Sequence, residues 1–177
     1  MAGLFETFRA RAEAVSAEVH RVDSMSAARE FVREFLSAEM VADQPCQWAV
    51  ATGDALPGEP LPGLRFDVTR ETAEAARIGI SRVEWGIAAT GTLVTDATAV
   101  ERRLVSTLPP IHIAILSTEA IEADMAGVFT KADPRRIAYL SMITGPSRTA
   151  DIERVLTIGV HGPGRLVIVC VDGMESN

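Results

Sequence analysis

The sequence calls for an α/β architecture built on a mostly parallel sheet. First, Ile111-His112-Ile113-Ala114-Ile115-Leu116 and Arg165-Leu166-Val167-Ile168-Val169-Cys170-Val171 are continuous apolar runs of strand length. That is the pattern of strands covered on both faces. Second, another apolar run, Ile137 to Met142, lies between them, and the intervening residues carry helical spacing. Strand, helix, strand, helix, strand in that order builds a parallel sheet with right-handed crossovers. Third, the chain has 177 residues, 47% hydrophobic and 23% charged, as in an ordinary globular protein. That length supports one domain with a sizeable core. We read 1–177 as a single domain, with a helical part at 1–41 and an α/β body at 42–177.

The elements follow in order. Leu4, Phe5, Phe8, Ala12, Val15 and Val19 fall near one face of a first helix. Asp23-Ser24-Met25-Ser26 offers N-caps to a second, whose stripe is Phe31, Phe35, Leu36 and Met40. Such helices either pack on the body of the domain or present the Phe31, Phe35, Met40 face to a partner. Gln47 to Thr52 reads as a short strand, then a loop with prolines at 57, 60 and 62, then a strand from Leu64 to Thr69. Glu71 to Ile78 reads as a short helix. Trp85-Gly86-Ile87-Ala88-Ala89 and Leu93-Val94-Thr95 read as two strands joined at Thr90-Gly91-Thr92. Pro109 and Pro110 fix the entry to the buried strand at 111–116. Ser117 or Thr118 caps a helix from Glu119 to about Phe129, with Ile121, Met125 and Val128 as its stripe. After the strand ending at Met142, a turn at Gly145 leads to a helix carrying Ile152, Val155, Leu156, Gly159 and Val160. His161-Gly162-Pro163-Gly164 ends it.

Charge and motifs narrow the function classes. Lys plus Arg is 17 against 24 Asp plus Glu, a net charge of −7. General nucleic-acid binding, which rests on neutralising phosphates, is not expected. Cys46 and Cys170 are isolated, so no iron–sulfur cluster or cysteine zinc site is expected from this chain. With three scattered histidines, no metal site is expected either. There is no GxGxxG, no GxxxxGK[ST] and no GxSxG motif, and no cofactor is expected. The start of the chain lacks a basic region followed by an apolar stretch, and no apolar run reaches membrane-spanning length. We expect no signal peptide, no membrane span and a cytoplasmic protein.

The candidate site lies at Gly145-Pro146-Ser147-Arg148-Thr149-Ala150-Asp151-Ile152-Glu153. A strand, a tight turn and a helix start would expose backbone N–H groups at the positive end of a helix dipole. Ser147 and Thr149 add hydroxyls and Arg148 a forked cation, which together suit an anion. The alternative is an N-capped helix with an acidic first turn and a surface arginine. Thr90-Gly91-Thr92 sets a glycine between two hydroxyls at a strand end, either as a plain hairpin turn or as a second anion cradle. In a parallel sheet the Gly145 turn and the helix start near Thr118 would lie beyond the C-terminal strand ends, and the two glycine loops at one sheet edge would make a pocket for a phosphate or carboxylate. His161, in a helix-terminating loop, and Glu84, just before the strand leading to Thr90, are the catalytic candidates. His112, inside an apolar strand, reads as a core histidine.

Four stretches together carry a resemblance. They are Gly86-Ile87-Ala88-Ala89-Thr90-Gly91-Thr92-Leu93-Val94, Leu108-Pro109-Pro110-Ile111-His112-Ile113, the Gly145 to Glu153 run, and Gly159-Val160-His161-Gly162-Pro163. In order and spacing they resemble the LUD (lactate-utilisation) domain family, in particular its protein C branch. The resemblance implies a three-layer α/β/α fold, similar to the sugar-phosphate isomerase and CoA-transferase (NagB/RpiA) superfamily. It implies a role in oxidising lactate to pyruvate, in a three-protein system whose iron–sulfur clusters sit in the other two proteins. Partners would then be those iron–sulfur proteins, with a small anionic ligand in the pocket. The other reading is a stand-alone enzyme acting on a phosphorylated or CoA-linked small molecule, by analogy of fold. Two features depart from the family's pattern. An acidic residue often precedes Thr-Gly-Thr, where this chain has Ala89, so that acid is either missing or replaced by Glu84. The chain is also shorter than typical members, by part of the N-terminal helical region.

Overall fold

The computed structural model describes residues 3–133, 135–150, 156–158 and 162–174. Six strands form the main sheet: β1 (Glu18–Val22), β2 (Ala49–Ala51), β3 (Leu64–Arg65), β4 (Ile78–Val83), β7 (Ile111–Ser117) and β12 (Arg165–Val171). Their order is β1-β12-β7-β4-β2-β3, and every neighbouring pair is parallel. The predicted α/β class with a mostly parallel sheet is borne out.

The apolar runs of β7 and β12 are buried on both faces because each face is covered. Ile111, Ile113, Ile115, Val167, Val169 and Val171 pack under α2 (Met25–Ala38), against its Ala28, Val32 and Leu36. Ala114, Leu116, Leu166, Ile168 and Cys170 pack on the other face, against Phe8 and Ala12 of α1 (Leu4–Ala14). Each such large aliphatic side chain contributes about 1.5–3 kcal/mol by leaving water. Ser24 caps α2, its hydroxyl accepting from the Ala27 amide at 3.2 Å, as its sequence position suggested. Phe31 and Phe35 are half-buried against the core, and Met40 lies beyond the helix end, 75% exposed. The α2 stripe is therefore core, not a docking face.

A second sheet of four strands lies on the α1 side. It comprises β5 (Trp85–Ile87), β6 (Thr92–Asp96), β8 (Ile121–Glu122) and β9 (Leu140–Ile143), in the order β8-β5-β6-β9. Strands β5 and β6 are antiparallel and joined through Thr90-Gly91, as read from sequence. Strand β9 runs antiparallel to β6, Leu93 opposite Ile143. Leu93 and Ile121 face the main sheet, while Ile87 and Val94 turn outward to Val128 of α5 (Met125–Lys131). The short α3 (Arg70–Glu74) is closed by a capping box between Thr69 and Thr72. Helix α4 (Val100–Thr107) packs directly on β4, where a Cβ on Gly79 would stand 2.0 Å from the Val105 carbonyl oxygen.

Several expectations need correction. The first helix ends at Ala14, because Ser16 turns to φ 70°, and Val19 belongs to edge strand β1, paired with β12. Residues 1–41 are thus not only helical. The expected helix at 119–129 starts at Met125, where the Asp124 carboxylate accepts from the Gly127 amide at 2.9 Å. Ahead of it stand a single 3₁₀ turn (Thr118–Ala120) and β8. Strand β9 joins the second sheet, not the parallel one. Most consequential, the segment after Gly145 is not a helix start. Strand β10 (Arg148–Ala150) pairs antiparallel with β11 (Leu156–Ile158), Arg148 opposite Ile158. Among the described residues no helix is long and apolar enough to cross a membrane.

Candidate functional site

The two glycine turns do meet, and the β6–β9 ladder is the reason. Thr92 opens β6 and Thr144 follows β9, so antiparallel pairing sets them side by side. Their hydroxyls lie 2.8 Å apart, and the Thr90 hydroxyl adds a second link at 2.7 Å from Thr92. Three amides of these turns, in contrast, are already engaged. The Gly91 and Thr90 N–H groups donate to the Ile87 carbonyl at 2.9 and 3.4 Å, and the Ser147 N–H donates to the Pro163 carbonyl at 2.8 Å.

Both glycines are required by α1. Gly91 (φ 66°) and Gly145 (φ 71°) hold the left-handed conformation that side chains disfavour. A Cβ on Gly91 would stand 2.2 Å from the Ala12 amide nitrogen, and one on Gly145 would stand 2.5 Å from the Val15 carbonyl oxygen. The turns press against the C-terminal end of α1. Arg148 completes that contact. Its Nη2 donates to the Ser16 hydroxyl at 2.5 Å and the Val15 carbonyl at 3.3 Å, a cation at the negative end of a helix.

A cleft of 490 Å³ opens between the Gly145 turn, the C-terminal end of α4 and the N-terminal part of β7 and β12. Its wall includes Ser106, Thr107, His112, Thr144, Ser147 and Arg148. The site thus faces the N-terminal half of the parallel sheet, not the C-terminal strand ends. Thr107 and Ser106 turn their hydroxyls onto carbonyls of their own helix, Thr107 at 2.6 Å from Arg103 and Ser106 at 2.8 Å from Arg102. Ser147 has no side-chain partner among the described residues. Nε and Nη1 of Arg148 are likewise unengaged there. No aspartate or glutamate appears among the described residues lining the cleft.

His112, read as a core histidine, is indeed fully buried, yet it also forms part of the cleft wall. Its Nε2 lies 2.9 Å from the Ser81 hydroxyl on β4. Its Nδ1 has no partner among the described residues. Burial pushes its pKa down to about 4, so the ring is neutral at pH 7. The apolar run around it hid this role. Only the polar atom inside that run signalled it.

Glu84 does not reach the cleft. It lines a separate cavity of 310 Å³ with Asp96, Arg102, Lys131 and Arg136. One carboxylate oxygen accepts from the Asp96 amide at 2.7 Å and the other pairs with Arg102, which also holds Asp54 at 2.5 Å. This is a structural latch joining β4, β6 and α4. Glu84→Gln should cost about 1–2 kcal/mol in urea unfolding, since it strips a half-buried guanidinium of one of its two carboxylate partners. Ligand binding at the cleft should be unchanged. His161 lies outside the described residues, and Thr149 pairs with Thr157 in the β10–β11 ladder. Among the described residues no cluster of His, Cys, Asp or Glu side chains could hold a metal ion.

The profile described as LUD domain matches residues 55–171. "Lactate utilization protein C" of Halalkalibacterium halodurans is 35% identical over 108 residues, 58% of this chain and 47% of that protein. "Uncharacterized protein YkgG" of Escherichia coli is 33% identical over 106 residues, 56% of this chain and 46% of that protein. A "Lactate utilization protein C" of an Exiguobacterium species aligns over 95% of this chain and 77% of its own length at 28% identity. The alignments to the first two cover about half of those proteins' length. The crystal structure of a DUF162 family protein from Deinococcus radiodurans shares the fold, with a TM-score of 0.64 at 21% identity, over 95% of this chain and 96% of that one.

Proposed function

Because the chain belongs to the LUD domain family, we propose that it serves lactate utilisation as a component without an iron–sulfur cluster of its own, binding a small anion. The relatives' names support the role in lactate utilisation. The anion binding rests on one observation. In a chain of net charge −7, the cleft beside the Gly145 turn carries a guanidinium, the Ser147 hydroxyl without a partner among the described residues, and no described carboxylate. Such a pocket is a local exception to the field of the whole molecule. Arg148, Ser147, Thr144 and, through the hydroxyl chain, Thr92 and Thr90 line or support it. Gly91 and Gly145 hold the two turns in place. The iron–sulfur proteins of a lactate-oxidising system are its proposed partners, and the cytoplasm its proposed compartment.

The test is thermal unfolding in chloride buffer with added lactate, pyruvate, acetate or phosphate. A ligand present at about 100 times its Kd should stabilise by about 2.7 kcal/mol. For a chain of this size that is a rise of roughly 5–10 °C. Ser147→Ala should reduce the rise without changing the melting point of the free protein. No shift beyond the chloride control with any of the four would end the anion reading.

A further inference from the structure

The orphaned nitrogen of His112 deepens that reading. The Ser81 hydroxyl touches only His112 Nε2 among the described residues. A hydroxyl has one proton and lone pairs to offer. If Nε2–H donated to Ser81, the serine proton would be buried with no acceptor. If Ser81 donates to Nε2, the serine is satisfied, the imidazole proton must sit on Nδ1, and one orphaned group remains instead of two. Buried polar groups without partners are costly, so the second arrangement is preferred. It leaves a fixed N–H donor on a neutral ring, in the wall of a cleft, with nothing described to receive it.

The ligand's charge follows from the same wall. Phosphate sites are commonly built from several backbone amides at a helix N-terminus or in a nest. Here the Thr90, Gly91 and Ser147 amides are taken, Arg148–Ala150 is a strand and not a helix start, and Arg148 is the one described cation of the lining. We propose that the cleft takes a small monocarboxylate rather than a phosphate ester, with the Nδ1–H of His112 donating to one of its oxygens and Ser81 as the residue that positions that donor. The proposal rests on the anion cleft described above.

The test is nitrogen-15 NMR of the full-length wild-type protein, reading the His112 ring together with the backbone amides of Ser147 and Arg148. The free protein should show the proton on Nδ1. Lactate, pyruvate or acetate should shift both the ring nitrogen and the two amides, whereas phosphate at equal concentration should shift neither. Ser81→Ala, which removes only a hydroxyl, should weaken acetate binding about tenfold and let the ring proton redistribute between its nitrogens. A proton on Nε2 in the free protein would overturn the proposal. Amide shifts without a ring shift would also overturn it, assigning Nδ1 to a bound water while leaving the anion cleft intact. Binding of phosphate in preference to the acids would overturn the ligand class. No binding of any of them would remove the anion cleft and the proposal together.

Discussion

Gly145→Ala is expected to destabilise the protein by about 3 kcal/mol, from a left-handed backbone and a Cβ driven into a neighbouring main chain. The obstacle at 2.5 Å is the Val15 carbonyl oxygen, which cannot rotate away as a side-chain tip would. Gly91→Ala meets the Ala12 amide at 2.2 Å and should lose a similar amount. In a chain of this length that is a fall in melting temperature of roughly 10 °C. Arg148→Ala removes only the cation at the helix end and should cost about 1 kcal/mol. Hydrogen exchange locates the damage. In both glycine variants the amides of α1, whose Phe8 and Ala12 lie in the core, should lose protection first. Losses below about 0.5 kcal/mol in both, the level of an ordinary surface substitution, would show that the turns do not carry α1.

The second large effect is a pH-dependent loss of stability set by His112. Its folded pKa is lowered from 6.5 to about 4 by burial, so the unfolded chain takes up a proton that the folded chain refuses. The neutral ring's contribution is fully present above pH 6.5 and is lost as pH falls toward 4. At about 1.4 kcal/mol per unit, the loss over that window is about 3 kcal/mol. Glu18 and Glu39, whose pKa values are lowered by hydrogen bonds from Arg165 and Arg77 respectively, act in the same direction but below the ordinary carboxylate pKa. Urea unfolding between pH 7 and 4 separates the two. His112→Gln should flatten the curve above pH 4.5 whatever its effect at pH 7. An unchanged slope in that variant would show that the ring charges freely in the folded protein.

Much of the main sheet was legible because burial on both faces leaves a local trace. Strands β7 and β12 are unbroken apolar runs, and the β5–β6 hairpin announces itself by its glycine turn. The site was legible only in part. Thr90, Thr92, Gly145 and Arg148 drew notice, but their meeting depends on β6 pairing with β9, a contact between distant segments with no local signature. The helix expected after Gly145 arose from apolar residues at 152, 155, 156, 159 and 160, a spacing that leaves short β segments unresolved. The mistaken continuation of α1 through Val19 has the same origin: Val15 and Val19 stand four apart, and the break at Ser16 is conformational. His112 was seen and set aside, since nothing local tells a satisfied buried imidazole from an unsatisfied one.

The place of β12 bears on how the protein is made. Strand β12, the last in sequence among the described residues, lies inside the sheet, with β1 on one side and β7 on the other. Until residue 171 has left the ribosome, β1 and β7 each present an open row of amides and carbonyls. The nascent chain must carry both as exposed edges until that point, so closing the sheet depends on contacts far apart in sequence. A premature stop shortly before position 165 would remove the middle of the sheet, and the product would be a chaperone or protease client, not a smaller domain.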